Sequence, residues 1–139
     1  MIGYACVALG VPGSEQKSIT LKNATDERLC LVIEHNFNAL ETLIDYNIRN
    51  DIKLFRISSD LIPFGSSRAQ NIPWSQLYSA QLQRIGSKIG DAGMRVSMHP
   101  GQYTVLNSPN SDVASRAMLD LAYHAQVLDA LGTGPEHKI

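Results

Sequence analysis

Apolar positions in this chain follow two rhythms, short continuous runs and longer stripes stepped by three and four residues. Met1 to Ala8 is an apolar run that ends in the turn material Gly10-Val11-Pro12-Gly13-Ser14, which predicts a buried strand feeding a long loop. A helix is expected from a Thr25 cap, with Asp26 and Glu27 in its first turn, to about Asn50. Its stripe is Leu29, Ile33, Phe37, Leu40, Ile44 and Ile48. Leu54 to Ser58 reads as a second strand and Ser59 to Asn71 as a loop rich in Ser, Gly and Pro. Pro73 then stands at a first helical position, and Trp74, Tyr78, Leu82, Ile85 and Ile89 make the next stripe, closed by Gly93. Met94 to Met98 is a third strand, followed by the loop His99 to Tyr103. A third helix is expected from Ser111 or Asp112 to Leu131, with Leu121, Ala125, Leu128 and Leu131 on one side. Gly132 to Pro135 stops it, and Lys138-Ile139 reads as the opening of a fourth strand.

Strand and helix thus alternate three times, which predicts an α/β fold with parallel strands and right-handed crossovers. Two architectures suit this order, a small doubly wound sheet or an incomplete TIM (β/α)8 barrel of about three βα units. With 139 residues, the chain is long enough for one domain with a core but not for two, and since a whole barrel needs ~200 residues or more, residues 1–139 would be a single partial domain in the second case.

Composition narrows the class only modestly. At 44% hydrophobic and 18% charged the chain is ordinary for a globular protein, and no run reaches the roughly 20 apolar residues needed to span a bilayer. The first residues carry no basic stretch ahead of an apolar one, so no membrane partner or secretion is expected, and a cytoplasmic or nuclear location follows. Cys6 and Cys30 are too few for a disulfide framework and read as small core residues. A formal net charge of −1 argues against nucleic-acid binding by bulk electrostatics, since such domains show a basic patch.

Chemistry in parallel α/β folds sits just beyond the carboxyl ends of the strands. The loop after the first strand is chemically quiet, with Tyr4 nearby. Behind the second strand come Ser58, Ser59, Asp60, Ser66, Ser67 and Arg68; behind the third come His99, Gln102, Tyr103 and Asn107. His99 is the sharpest candidate, because Pro100 restricts it to extended geometry at the strand end. It reads as a metal ligand or general base, or else as a hydrogen-bonded structural histidine. Asp60 reads as an active-site carboxylate or a turn residue, and Arg56 as a buried ion pair or a phosphate contact. His35 and His124 fall within helices as satisfied packing residues, Trp74 as core, and Asn36 and Asn47 as partners for buried backbone groups. One histidine cannot hold a catalytic metal, which needs three or more ligands, so the residues alone describe an incomplete site.

Two stretches carry a specific resemblance. Leu54-Phe55-Arg56-Ile57-Ser58-Ser59-Asp60-Leu61-Ile62-Pro63-Phe64-Gly65-Ser66 and Arg95 to Pro109, which contains His99-Pro100-Gly101-Gln102-Tyr103, resemble signature segments of the UV-damage endonuclease family. Ile2-Gly3-Tyr4, Ser18 to Asn23 and Tyr123-His124-Ala125 agree with it. The resemblance implies a (β/α)8 barrel related to abasic-site endonucleases and xylose isomerase. It implies a DNA-repair enzyme that nicks duplex DNA 5′ to UV photoproducts by metal-assisted hydrolysis, with a divalent metal such as Mn2+ as cofactor and damaged duplex DNA as partner. By position, His99 matches a metal ligand, Gln102 and Tyr103 match a pair that probes the duplex at the lesion, and Tyr4 matches an aromatic near the lesion pocket. Asp60, Ser67, Arg68 and Asn107 are the expected site neighbours. It further implies a nucleoid location in a prokaryote or a nuclear one in a eukaryote. Ser67 stands where many members have a histidine ligand, and the other ligands belong to later strands, so these 139 residues are expected to be inactive alone. The alternatives are a metal-dependent sugar isomerase or epimerase barrel, and a non-catalytic βα module that needs a partner. Open strand edges would invite self-association.

Overall fold

The computed structural model describes residues 1–67, 70–137 and 139. Its elements are β1 (Tyr4–Ala5), a 3-10 turn at Leu21–Asn23, α1 (Asp26–Arg49), β2 (Leu54–Ile57), a 3-10 turn at Ser59–Leu61, α2 (Trp74–Leu77), α3 (Ser79–Asp91), β3 (Arg95–Met98) and α4 (Ser111–Ala130). The three strands form one parallel sheet in the order β1-β2-β3. Tyr4 pairs with Phe55 and Ala5 with Arg56; Leu54 to Ile57 pair with Arg95 to Met98. The expected α/β order of parallel βα units is therefore present.

Local chemistry explains where the helices start and stop. Thr25 accepts from the Arg28 amide at the head of α1, and Asn110 accepts from Asp112 and Val113 at the head of α4. Three helices end on the same motif, in which two amides beyond the cap fold back on the last carbonyls. After α1 these are Asp51 to Ile48 and Ile52 to Asn47, after α3 Gly93 to Gly90 and Met94 to Ile89, and after α4 Gly132 to Asp129 and Thr133 to Leu128. That motif needs a left-handed residue, and Gly93 and Gly132 supply it with φ of 60° and 69°.

Phe55, Ile57, Val96 and Met98 face the helices and are buried with Phe37, Leu40, Ile44, Leu82, Ile85 and Ile89. Trp74 belongs to this core, as its spacing predicted. Asn36 is buried, accepts from the Lys17 amide at 2.7 Å and donates to the Lys17 and Leu61 carbonyls. Asn47 is buried too, but its Oδ1 accepts from the Tyr4 hydroxyl instead of a backbone group.

Several expectations need correction. The first strand covers two residues, not Met1 to Ala8, and Met1 and Ile2 are exposed because no element covers them. The helix after Pro73 breaks at Tyr78, whose φ of −111° leaves the helical range while its hydroxyl donates to the Cys30 carbonyl. On α4 the buried face is Ala117, Tyr123, His124, Val127 and Leu128; Leu121 and Ala125 are only half-buried, because Tyr123 and His124 turn inward to the loop after β2. Cys6 and Cys30 are half-buried, Cys30 packing on the core and Cys6 ending the first strand at φ 63°. The fourth-strand expectation falls partly on Lys138, outside the described residues, and Ile139 lies in no strand.

Arg56 is exposed on the sheet face turned away from the helices, and among the described residues it makes no ion pair. Among the described residues the buried pair expected there does not form, because Arg56 stays exposed. Leu54, Arg56, Arg95 and Ser97 line an open cleft of about 410 Å³ on that face. No described helix is long and apolar enough to cross a membrane.

Candidate functional site at the carboxyl ends of the strands

The carboxyl edge of the sheet gathers three loops. Cys6 leaves β1 with its amide bonded to the Arg56 carbonyl at 2.8 Å. Burial pushes its thiol pKa up, Arg56 pulls it down and Asp60 pushes it up, so a charge of β2 and one of the turn behind it act on the thiol. Sequence reading passed over Cys6 as core; its place at the end of a strand was the available signal.

Behind β2, Ser58 accepts from the Asp60 amide and opens the 3-10 turn that carries Ser59 and Asp60. Asp60 is exposed. The chain then turns through Phe64, a non-glycine residue at φ 57°, with the Gly65 amide bonded to the Ile62 carbonyl and the Ser67 amide to that of Phe64. Gly65 allows this turn to lie on α4, because a Cβ there would meet the Tyr123 ring at 2.3 Å. The Tyr123 hydroxyl donates to the Ser59 carbonyl at 2.9 Å and accepts from the Ile62 amide at 3.2 Å, and burial raises its pKa. Ser67 is exposed; Arg68 lies outside the described residues.

Behind β3, His99 is exposed directly at the strand end. Gln102 and Tyr103 follow in a turn closed by the Thr104 amide on the Gly101 carbonyl, and Tyr103 is 83% exposed. Ser59 connects the two loops, its hydroxyl donating to the His99 carbonyl. Ser59, Asp60, Gly65, Ser66, Gly101 and Tyr123 line a cleft of about 360 Å³ between the loops. Ser66, Gly101, Tyr103, Thr104, Arg116 and Asp120 line a neighbouring one of about 590 Å³. The structure thus brings Asp60, Ser66 and the His99–Thr104 loop to one rim, whereas Asn107 is exposed and lines neither cleft.

Tyr4 does not join this rim. Its ring packs on Phe55 at 5.0 Å, on the helix side of the sheet, and its hydroxyl donates to Asn47 Oδ1 at 2.7 Å. The register that pairs Tyr4 with Phe55 gives both side chains the same face, and Phe55 belongs to the core. Burial raises the Tyr4 pKa. Tyr4 therefore lines neither of the two clefts between the loops.

Among the described residues no group of three or more His, Cys, Asp or Glu side chains could hold an ion. His99 stands as a single imidazole, and these residues by themselves do not fit a catalytic metal.

Parallel βα units with polar loops gathered at the strand ends define an α/β protein of the TIM-barrel type, present as three of its units. The family model described as UV-endonuclease UvdE matches residues 2–138. The chain is 39% identical over 138 residues to a UV DNA damage endonuclease of Clostridium perfringens, covering 99% of this chain and 34% of the relative. It is 29% identical over 111 residues to one from Bacillus cereus strain B4264, covering 80% of this chain and 35% of that protein. The crystal structure of SacUVDE superposes with a TM-score of 0.87 at 36% identity, over 94% of this chain and 45% of that one. The chain belongs to the UV-endonuclease UvdE family. It spans about a third of the length of the curated relatives it matches.

Proposed function

We propose that this chain supplies part of a DNA-repair endonuclease that nicks damaged duplex DNA 5′ to UV photoproducts by metal-assisted phosphodiester hydrolysis. The observation that carries the reading is the pairing of an exposed strand-end imidazole, His99, with the exposed Gln102–Tyr103 turn three residues on. A planar amide and an aromatic ring standing free of the protein suit insertion into a duplex at an unstacked step. His99 contributes one ligand to a divalent ion, with Mn2+ as the metal; bound at such a rim, the ion would activate water and polarise the phosphate. Asp60, Ser67, Arg68 and Asn107 are neighbours of that site in this reading, and the nucleoid or nucleus is its place of action. Family membership at 39% identity supports the assignment, and the lack of a three-ligand group among the described residues supports inactivity of these 139 residues alone.

The test uses fluorescein-labelled duplexes with and without one cyclobutane pyrimidine dimer. The chain is expected to bind the damaged duplex more tightly in anisotropy titrations, with Gln102→Ala and Tyr103→Ala removing the preference. Equal affinity for both duplexes would count against the finger. With Mn2+ and UV-irradiated plasmid the chain is expected to leave the plasmid supercoiled, and nicking would overturn its inactivity.

A further inference from the structure

The loop from His99 to Thr104 is held at both feet by one helix. At the first foot, the His99 carbonyl accepts from the Ser59 hydroxyl. Ser59 Oγ lies 3.0 Å from His124 Nε2, and His124 Nδ1 lies 2.6 Å from the Asp120 carbonyl. At the second foot, Thr104 Oγ1 donates to Asp120 Oδ2 at 2.5 Å. Asp120 and His124 are one turn apart on α4, with Asp120 Oδ1 3.7 Å from His124 Nδ1. The Ser59 hydroxyl thus sits between the His99 carbonyl and His124 Nε2, and His124 Nδ1 donates to the Asp120 carbonyl, which can only accept.

The burial pattern points the same way. His124 is fully buried, yet it is the most polar residue on the inner face of α4. A buried imidazole without partners is costly, and both nitrogens are used on groups belonging to this arrangement. Between the clamped feet, Gly101, Gln102 and Tyr103 are exposed, and the bond from the Thr104 amide to the Gly101 carbonyl closes the turn.

We propose that Asp120 and His124 are positioning residues that, through Thr104 and Ser59, clamp the two ends of the His99–Thr104 loop and so fix the imidazole and the Gln102–Tyr103 tip relative to each other. The use of that tip on DNA rests on the function proposed above; the clamp does not. A metal ligand and a probing finger on one loop act together only if their spacing is fixed, and side-chain bonds from a packed helix fix it better than a six-residue loop can alone.

The experiment is backbone ¹⁵N relaxation on the labelled 139-residue chain and on Ser59→Ala, Ser59→Thr, Thr104→Val and Asp120→Asn. Order parameters for Gly101 to Tyr103 near the rigid value of about 0.85 should fall below about 0.6 in Ser59→Ala and Thr104→Val, with α1 and α3 unchanged. Ser59→Thr keeps the hydroxyl and should restore wild-type order, a rescue that general loss of packing would not show. Asp120→Asn tests the helix end of the clamp and should loosen the Thr104 foot. If Ser59→Ala and Thr104→Val leave the loop as ordered as in the wild type, the clamp is wrong. The same variants go into the duplex titration. A loosened loop in a protein whose wild type never prefers the dimer-containing duplex would sink the DNA reading and spare the clamp. Loop order and duplex preference both intact in the variants would sink the clamp and spare the reading.

Discussion

Gly86 in α3 and Leu131 at the end of α4 approach so closely that a Cβ on the glycine would lie 1.7 Å from the leucine carbonyl oxygen. The obstacle is backbone, so it cannot turn aside as a flexible side chain would. Gly86→Ala should therefore destabilise the chain by about 1–3 kcal/mol through overpacking, although alanine is the better helix former by about 1 kcal/mol. Gly90, a turn later in the same helix, has open space around its Cβ position. Gly90→Ala should stabilise by about 0.4–1 kcal/mol. Urea midpoints of opposite sign for the two variants check this; equal shifts would refute the helix contact.

A second prediction concerns the charged seam between α1 and α3. Arg84 donates to both carboxylate oxygens of Glu41 at 2.8 Å, and Lys88 reaches Glu41 and Asp45. The bond from Arg84 holds the Glu41 carboxyl down at about 2 from an ordinary 4.5, against the opposing effect of burial. A carboxyl with a depressed folded pKa adds stability above its unfolded value and loses it as pH falls through the folded one. Stability should decline between pH 4.5 and about 2, and Glu41→Gln should flatten that decline. The variant should cost about 1 kcal/mol at neutral pH, because Arg84 is open to solvent that screens the pair. Thermal melts across this pH range give the answer.

Removing the Tyr4 hydroxyl isolates a different junction. Asn47 is fully buried and accepts that hydroxyl at 2.7 Å. Tyr4→Phe leaves the amide oxygen unsatisfied and should cost about 1–3 kcal/mol. An unchanged denaturation midpoint would show that β1 is not tied to the end of α1.

Edge protection is testable at His137. The Val96 amide on the outer edge of β3 donates to His137 Nδ1 at 3.0 Å, and Arg95 Nε donates to the Glu136 carbonyl at 3.0 Å. The turn after α4 thus covers part of the edge expected to be open. His137→Ala should expose that amide and increase self-association with concentration in light scattering. A variant as monodisperse as the parent would mean that the edge needs no such cover.

Titrating Mn2+ and following the free ion by electron paramagnetic resonance addresses the metal. One imidazole should give no saturable binding in the micromolar range, and His99→Ala should leave the titration curve unchanged. Tight binding that His99→Ala abolishes would show that these residues already form a site.

Most of what could be read without coordinates was local. Thr25, Gly93 and Gly132 mark helix ends because caps and left-handed turns depend on the residues beside them. The strand windows Leu54–Ile57 and Arg95–Met98 lie within one residue of those expected. His99 stands at the strand end for the same reason. The side-chain settings that the chain itself did not show all depend on distant partners: Tyr78 turns toward Cys30, Tyr123 and His124 toward Ser59, and Tyr4 toward Asn47.

From its order of residues alone, this protein was determined to be a series of parallel βα units with a histidine and a Gln-Tyr pair at one strand end. Periodicity and turn chemistry act over a few residues, so they are written in the chain itself. Only the tertiary structure decided which face of each strand is covered, where Tyr4 points and that α4 grips the His99 loop at both ends. Those outcomes require groups from about 16 to 65 positions apart to meet, and their meeting depends on how sheet and helices pack.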